Sequence, residues 1–310
     1  MTSPVQGHQD RRLFAIGLGL VTYIFFTLCD TCAKWMAVSG MPPLQVAFGR
    51  YALQFAFMAG LALPHSGFAA LKTKRPVLQV VRALGLLGMT AFNFFALAYL
   101  PLTLTSSITF GMPLLITALS VPLLGEHVGW RRWVAILVGF IGILIVVQPW
   151  DASFHWAVIL SLASITSAAI YFILTRKLTA TESTISLQLY TGLVGTVCLL
   201  PFALWNWEWP SGGLAWIVFL GVGVTAMIGH QISIAAHRYA PASVLAPFAY
   251  SQIIWMTASS WLIFNEPPTV WLLVGSPIVI GSGLYIWMRE RRLARESVSP
   301  ISPAEAELRV

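Results

Sequence analysis

One stretch of the chain reads YLPLTLTSSITFGMPLLITALSVPLLGE (residues 99–126), and a second reads YAPASVLAPFAYSQIIWMTASSWLIFNE (residues 239–266). Six of the 28 aligned positions are identical at an offset of 140 residues. The identical positions are not only apolar ones, since they include Tyr99/Tyr239, Pro101/Pro241 and Glu126/Glu266. A match at one fixed offset indicates an internal repeat, and a repeat of this length constrains the architecture of the whole chain.

The composition around this repeat is typical of a membrane protein. Of the 310 residues, 57% are hydrophobic and 9% are charged, whereas a soluble domain has about 25% charged residues. A transmembrane helix needs about 20 apolar residues, and ten such spans are predicted, at residues 13–36, 44–63, 77–98, 102–124, 131–148, 155–175, 185–205, 213–236, 241–264 and 269–288. A water-soluble enzyme is therefore excluded.

Lysine and arginine residues collect on alternate connections between these spans. Sixteen of the 18 fall on one side: Arg11, Arg12, Lys72, Lys74, Arg75, Arg82, Arg131, Arg132, Arg176, Lys177, Arg238, Arg289, Arg291, Arg292, Arg295 and Arg309. The opposite connections hold only the acids Asp151, Glu208 and Glu266. Because Lys and Arg mark cytoplasmic loops, both termini are predicted to be cytoplasmic. The net charge of +7 is then an orientation signal, and we expect no nucleic-acid partner.

The number of spans in each half determines the predicted fold class. Since each half has five, the second half crosses the membrane in the opposite direction, with Glu126 cytoplasmic and Glu266 external. We predict an all-α membrane protein with ten transmembrane helices in two inverted five-helix repeats, residues 13–148 and 155–288, between a tail at 1–12 and a basic, disordered tail at 289–310. Secondary transporters use inverted repeats to enclose a substrate site near the bilayer midplane.

Several motifs of the first repeat resemble a known family of transporters. They lie between Ala98 and Pro149, and they are Tyr99–Pro101, the Ser- and Thr-rich start of the fourth span, Pro113, Gly125–Glu126, Trp133, Gly139 and Gly142. The pattern resembles the drug/metabolite transporter superfamily, in its ten-helix EamA-type branch, over residues 13–288. The resemblance implies a multi-pass protein of the bacterial inner membrane that has no cofactor and is not an enzyme.

Within that branch, the chain is most similar to transporters of riboflavin and of S-adenosylmethionine, through Asp30, Lys34, Arg50 and the stretch from Arg238 to Glu266. The resemblance implies alternating-access transport of a small polar metabolite. A riboflavin-like heterocycle is the first expectation and S-adenosylmethionine the second, and an amino-acid or cationic-drug exporter of the same superfamily is the alternative. A membrane-embedded enzyme or lipid-handling protein is a rival from another class, although no nucleophile and base are paired in the sequence.

Charged side chains inside a span are candidate functional residues, because they are costly in lipid unless they face a cavity or one another. Asp30 and Lys34 lie four residues apart on one face of the first span, a spacing at which an acid and a base can pair. One hypothesis is a structural ion pair that closes the outer end, with Lys34 directed outward. The other is that Asp30 binds a substrate cation or a coupling proton and Lys34 binds a carboxylate or phosphate.

Arg50 and Gln54 lie one turn apart in the second span. The planar guanidinium of arginine suits carboxylates and also stacks on rings. Arg50 is therefore predicted either to bind substrate or to pair with Asp30 and hold the first two spans together, and the two roles are compatible.

Besides Asp30, His230 is a second candidate for proton coupling, because imidazole changes charge near neutral pH. At the offset of 140 residues His230 aligns with Thr90, and Ser233 aligns with Asn93. Both halves thus place polar groups at equivalent positions. The alternative is a buried histidine that only hydrogen-bonds to a neighbouring helix.

Aromatic and amide side chains complete the predicted site. Phe110 and Tyr250 lie among hydroxyl residues in the fourth and ninth spans, and they line either a site for a planar molecule or a helix contact. The predicted substrate-binding residues are Asp30, Lys34, Arg50, Gln54, Asn93, Phe110, Tyr171 and Tyr250. The expected partners are a small-molecule metabolite and membrane lipid. Cys29 and Cys32 are interpreted as small buried residues, so no metal site is predicted.

Overall fold

The computed structural model describes residues 4–124, 129–151, 154–178, 181–239 and 245–296. Within these ranges the chain is helical and has no strand. The α-helices are α1 (Pro4–Val38), α2 (Pro43–Ser66), α3 (Pro76–Leu97), α4 (Leu102–Thr109), α5 (Met112–Leu124), α6 (Trp130–Val147), α7 (Val158–Leu178), α8 (Thr184–Trp205), α9 (Gly213–Tyr239), α10 (Gln252–Phe264) and α11 (Val270–Glu296). Two short 3-10 helices cover Gly67–Leu71 and Ala246–Ser251.

The predicted all-helical membrane fold is confirmed. In the described part of the chain, nine segments are long and apolar enough to cross a membrane, and α4 together with α5 makes one of them, Leu102–Leu119. The ninth expected span, 241–264, is divided into the 3-10 helix Ala246–Ser251 and the 13-residue α10. Its first residues lie outside the described ranges, as do Glu126 and the tail beyond residue 296.

The interruptions in the fourth and ninth spans occur at equivalent positions of the repeat. Helix α5 begins at Met112 and α10 at Gln252, 140 residues later, and each has 13 residues. A proline lies close to each break, Pro113 after the first and Pro247 before the second. Proline has no backbone N–H and its ring clashes with the carbonyl four residues earlier, so Pro113 interrupts the helical hydrogen bonds between α4 and α5, and Pro247 lies at the start of the 3-10 helix that precedes α10.

The helix contacts follow the same repeat. The most extensive contacts join α1 to α9, α3 to α7, α2 to α8 and α6 to α11. In the repeat, α1, α2, α3 and α6 correspond to α7, α8, α9 and α11. Exchanging the two halves therefore turns the α1–α9 contact into the α7–α3 contact, and it leaves the α2–α8 and α6–α11 contacts unchanged. The repeat in the sequence is therefore also a repeat in the packing.

Glycine allows the closest of these contacts. A methyl group built on Gly275 of α11 would lie 2.6 Å from the carbonyl oxygen of Gly142 in α6. A methyl group on Gly192 of α8 would lie 2.9 Å from the Cα of Phe55 in α2. Small residues let the backbones of membrane helices approach closely. The α6–α11 and α2–α8 contacts, each of which joins corresponding helices of the two halves, therefore depend on glycine.

The connections meet at the two ends of the bundle, which differ in charge. At the acidic end, where Asp151, Glu208 and Glu266 lie, the side chain of Gln45 donates to the Glu208 carbonyl (2.6 Å) and accepts from its N–H (3.0 Å). At the basic end, which carries Lys72, Lys74, Arg75, Arg131, Arg132 and Lys177, the N–H of Lys74 donates to the Glu182 carboxylate (3.0 Å). At the acidic end, α2 of the first half is thus tied to a connection of the second half, and at the basic end one connection from each half meets the other.

Arg82, which the sequence analysis counted among the charges that flank the spans, is buried inside the bundle. Arg82 belongs to α3, and it is 2% exposed. Its predicted role as a flanking charge is therefore wrong. Arg82 is buried because α7 and α8 pack on this face of α3. The distribution of charges along the sequence does not reveal this packing.

Candidate functional site

One face of α3 carries polar side chains through the interior of the bundle. Gln79, Arg82, Thr90 and Asn93 recur at spacings that keep them on one side of a helix. Each of them bonds to a side chain or backbone group of another helix. Polar groups within a membrane helix usually face a cavity or one another, and this face of α3 therefore leads to the candidate site.

A small cavity lies beside the Asn93 end of this polar face. It lies between residues of α1, α3, α4 and α10, namely Asp30, Asn93, Thr105, Ser106, Thr109, Phe110, Gln252 and Met256. The Asn93 side-chain amide donates to the carboxylate of Asp30 at 3.1 Å. Phe110 and Gln252 lie at the two equivalent helix breaks. The repeat thus brings both of its interruptions to one cavity that holds a carboxylate, an amide and hydroxyl groups.

A second polar centre lies one turn away along α3, around the guanidinium of Arg50. This group is buried, donates to the hydroxyl of Thr90, and has an Nη2 atom 3.5 Å from Nε2 of His230. The guanidinium also lies 5.1 Å from the centre of the Tyr51 ring. The Tyr51 hydroxyl is fixed by the Leu86 carbonyl at 2.8 Å and by the Thr90 hydroxyl at 2.9 Å. Arg50 is thus held in place by neutral groups from α3 and α9.

This second centre is not fully satisfied. Among the described residues, no hydrogen-bond partner reaches Nε of Arg50 or Oε1 of Gln54. Buried polar groups in proteins almost always have a partner, and each exception needs an explanation. Arginine carries five N–H donors in a planar fork, so one donor of Arg50 is available to a ligand.

The acidic end is closed by an ion pair. Nζ of Lys34 lies 2.6 and 2.5 Å from the two carboxylate oxygens of Glu266 and donates to the Leu100 carbonyl at 3.0 Å. The Lys34 side chain is 3% exposed, and Ser260 donates to the same carboxylate at 3.0 Å. This arrangement joins the end of α1, in the first repeat, to the connection after α10, in the second.

The expected pair between Asp30 and Lys34 is not formed. Lys34 is paired with Glu266, whereas Asp30 accepts a hydrogen bond from α3. Helical spacing correctly placed the two residues one turn apart. It did not reveal that the connection after α10 brings a closer carboxylate to Lys34. Lys34 is also directed into the protein, not outward.

Arg82 forms a third centre, towards the basic end. It donates to Thr175 (2.9 Å), to the Leu187 carbonyl (3.1 Å) and to Thr191 (3.0 Å), and its guanidinium lies 4.9 Å from the centre of the Tyr171 ring. Its hydrogen bonds therefore fasten α3 of the first repeat to α7 and α8 of the second.

The predicted site residues are thus divided among these centres. Three of them line the cavity: Asp30, Asn93 and Phe110. Tyr250 borders it, with its ring centre 5.4 Å from that of Phe110. Arg50, Gln54 and His230 belong to the second centre, while Lys34 lies in the ion pair and Tyr171 packs against Arg82.

Sequence reasoning missed several residues of these centres. They are Thr105, Thr109, Gln252 and Met256 in the cavity, and Glu266 in the ion pair. A usable signal was present for two of them, because Gln252 is the repeat equivalent of the α5 start and Glu266 is one of the six repeat identities. Among the described residues, no group of three or more His, Cys, Asp or Glu side chains is arranged to hold a metal ion.

Comparisons with known proteins agree with this architecture. An S-adenosylmethionine uptake transporter of Rickettsia felis is 30% identical over 285 residues, which cover 90% of this chain and 94% of that protein. A riboflavin transporter of Vibrio cholerae is 28% identical over 295 residues, which cover 94% of this chain and 96% of that protein. A crystal structure of a protein with 19% identity covers 90% of this chain with a TM-score of 0.59, and it shares the fold.

The family model matches the chain twice. Residues 13–148 and residues 155–288 each match the EamA-like transporter family. These two matches cover more than half of the chain, and together with the relatives above they confirm the resemblance found in the sequence. The chain is a multi-pass membrane protein and belongs to the EamA-like transporter family.

Proposed function

We propose that this chain is a secondary transporter that moves a small polar organic metabolite across the bacterial inner membrane by alternating access. The observation that carries the proposal is the polar cavity between the two repeats, closed towards the acidic end by Lys34 and Glu266. Transporter sites lie at a repeat interface and are formed by interrupted helices. The cavity has both features, since Phe110 and Gln252 lie at the two helix breaks.

The proposed topology has ten crossings in two inverted five-helix repeats. It counts α4 with α5 as the fourth crossing and the segment ending with α10 as the ninth. The exchange symmetry of the helix contacts supports the repeat. The distribution of Lys and Arg supports cytoplasmic termini, because cytoplasmic loops carry the excess of these residues. The acidic end is then external and the basic end cytoplasmic.

The ion pair is the proposed external gate. Lys34 belongs to the first repeat and Glu266 to the second, so any movement that opens this end must separate them. Separating a buried ion pair leaves an uncompensated buried charge, which is costly. The pair therefore favours a state in which the cavity is closed to the outside.

The relatives name two candidate substrates, S-adenosylmethionine and riboflavin. The sequence resemblance placed riboflavin first. The rings of Phe110 and Tyr250 suit a flat heterocycle, and Asn93 suits its polar edge. Asp30 adds a carboxylate, which suits a cationic substrate or a coupled proton. No observation favours an amino-acid or cationic-drug exporter over these two candidates, and we assign no catalytic role to the chain.

The proposal is tested by transport in sealed proteoliposomes containing the purified chain. Radiolabelled riboflavin and S-adenosylmethionine are supplied separately, with and without a proton gradient. We expect saturable accumulation of at least one of them, blocked by its unlabelled form and lost in Asp30→Asn. Glu208→Gln is the matched control, since Glu208 is exposed at the acidic end. Accumulation no greater than in empty liposomes for both compounds would contradict the proposal.

A further inference from the structure

The charges inside the bundle fall into satisfied and unsatisfied groups. Lys34 and Glu266 pair with each other. Arg82 is held by three neutral acceptors on α7 and α8. The hydrogen bonds of Asp30 and Arg50 are to neutral described groups, and the two opposite charges lie close enough to attract each other without a direct ion-pair contact. Two opposite charges thus lie near the cavity without direct partners of opposite charge.

These two charges are placed side by side by α3. Asn93 bonds to Asp30, and Thr90, one turn earlier on the same face, bonds to Arg50. A ligand that reaches from the cavity, which Asp30 lines, to the neighbouring Arg50 therefore meets a carboxylate from α1 and a guanidinium from α2, each bonded to α3 on consecutive turns. A ligand with a positive and a negative group close together satisfies both of them.

The Arg50 centre has an unoccupied bonding position of its own. Its Nε atom is buried and lacks a hydrogen-bond partner among the described residues, as does Oε1 of the neighbouring Gln54. Carboxylates commonly bind arginine through two parallel N–H···O bonds. The available Nε–H therefore fits a carboxylate oxygen, which none of the described residues supplies.

The location of Arg50 also suits a residue that senses substrate. Thr90 and His230 occupy equivalent positions of the two repeats, and both lie against its guanidinium. Arg50 is therefore in contact with α3 of the first half and α9 of the second. A carboxylate bound there touches the interface that must rearrange in alternating access.

We propose that Arg50 binds the carboxylate and Asp30 the cationic group of a zwitterionic substrate. This inference rests on the proposed transport function, and it names the substrate class as metabolites that carry an amino-acid head. S-adenosylmethionine has a carboxylate, an ammonium and a sulfonium, and it fits both charges. Riboflavin is uncharged near neutral pH and fits neither. The charges of the site thus reverse the order of the two substrates that the sequence resemblance gave.

The experiment compares four probes on the purified full-length chain: S-adenosylmethionine, its decarboxylated form, S-adenosylhomocysteine and riboflavin. Decarboxylation removes the carboxylate, and S-adenosylhomocysteine lacks the sulfonium charge. We expect the unchanged chain to bind S-adenosylmethionine at least about tenfold more tightly than its decarboxylated form, as expected for loss of a charged hydrogen-bonded contact. This measurement needs no variant and is therefore independent of folding defects.

Variants then assign the preference to residues. Arg50→Gln should abolish the preference for the carboxylate, whereas Arg75→Gln, the same change at an exposed position, should keep it. Asp30→Asn should weaken binding of S-adenosylmethionine and S-adenosylhomocysteine alike, since both carry the ammonium of the amino-acid head, and should retain the preference for the carboxylate. Arg50→Lys, which keeps the charge without the planar fork, should retain part of the carboxylate preference and shows that the site has folded.

The outcomes separate the two proposals. Equal binding of S-adenosylmethionine and its decarboxylated form would overturn the assignment of Arg50. Saturable transport of riboflavin without binding of any charged probe would overturn the zwitterion inference and leave the transport function standing. Failure to transport any of the four probes into sealed liposomes would overturn both.

Discussion

Asp30 and Lys34 lie one turn apart on α1, yet their surroundings differ. Lys34 is locked to Glu266 and the Leu100 carbonyl at the acidic end. Asp30 faces a cavity and accepts one hydrogen bond from the neutral amide of Asn93. Arg50 resembles Asp30 in making no direct ion-pair contact with a described residue.

The difference separates charges that close the structure from charges that are available to a ligand. The attraction in a buried ion pair offsets the free-energy cost of desolvation only when the geometry is good. The Lys34–Glu266 pair meets this condition, with two short N···O contacts and a hydrogen bond from the Ser260 hydroxyl. Asp30 and Arg50 lack such a contact. We therefore expect substitutions in the two regions to have different consequences, the first for gating and stability and the second for transport.

The largest expected effect is on transport, from Arg50→Ala. Removing one partner of a buried, hydrogen-bonded charge contact costs about 2–5 kcal/mol, so we expect initial rates of substrate uptake to fall by about 30-fold or more at low substrate concentration. The measurement is radiolabelled uptake into proteoliposomes, normalised to the amount of inserted protein. Arg75→Ala should leave the rate within twofold. Wild-type uptake by Arg50→Ala would remove Arg50 from the site.

A large effect on stability, with a smaller one on substrate preference, is expected from Arg82→Met. The substitution removes three hydrogen bonds that join α3 to α7 and α8, and a hydrogen bond to a charged group contributes about 1.5–3 kcal/mol. The thermal unfolding midpoint in detergent should fall clearly, while the ratio of binding constants for S-adenosylmethionine and its decarboxylated form should not change. A changed ratio with an unchanged midpoint would place Arg82 in the substrate site.

An intermediate effect is expected at the acidic end. Lys34→Gln leaves the partly exposed Glu266 carboxylate without its cation, and Glu266→Gln leaves the buried Lys34 without its anion. Each should lower the thermal unfolding midpoint, and the double variant should recover part of the loss, because an uncompensated buried charge costs more than a missing pair. The double-variant cycle in detergent measures this coupling. Strictly additive losses would show that the two side chains act independently.

The smallest expected effect is at the ring pair. Phe110→Leu keeps an apolar side chain but removes the contact with the Tyr250 ring, and aromatic pairs contribute about 0.5–1.5 kcal/mol beyond their buried area. We expect a two- to tenfold loss of affinity for substrates with a flat ring and none for methionine, which lacks one. Phe172→Leu, at a position that is exposed on α7, is the matched control. Equal losses in both variants would make the effect non-specific.

Part of the central cavity was predictable, because a polar side chain within an apolar span is conspicuous. Asp30 and Asn93 were identified in this way, and both line the cavity. Pro113 and Pro247 also indicate interrupted helices in the fourth and ninth spans. Here local sequence carries the information, since the cost of a charge in lipid and the geometry of proline do not depend on the rest of the fold.

The partners of the charges could not be predicted in the same way. Helical spacing identifies neighbours on one helix, but Lys34 is paired with a residue 232 positions later. Tyr171 was predicted to bind substrate because it shares one face of the sixth span with Ser164 and Ser167, whereas in the fold its ring packs against Arg82. These contacts depend on how the second repeat packs on the first. The sequence reveals that the two repeats are similar, but it does not reveal which of their side chains meet.

The most direct measurement is the accessibility of a single cysteine in the cavity from the acidic end. Ser106 lines the cavity and is buried, so Ser106→Cys is introduced after Cys29, Cys32 and Cys198 are replaced by serine, and labelling by a membrane-impermeant thiol reagent is followed in sealed vesicles. We predict that Ser106→Cys is labelled slowly when the ion pair is intact. Adding Glu266→Gln should increase the labelling rate at least about tenfold, as for loss of about 1.4 kcal/mol. Bound substrate should lower the labelling rate in both proteins. Equal rates in the two proteins, with no protection by substrate, would contradict a substrate cavity closed by Lys34 and Glu266.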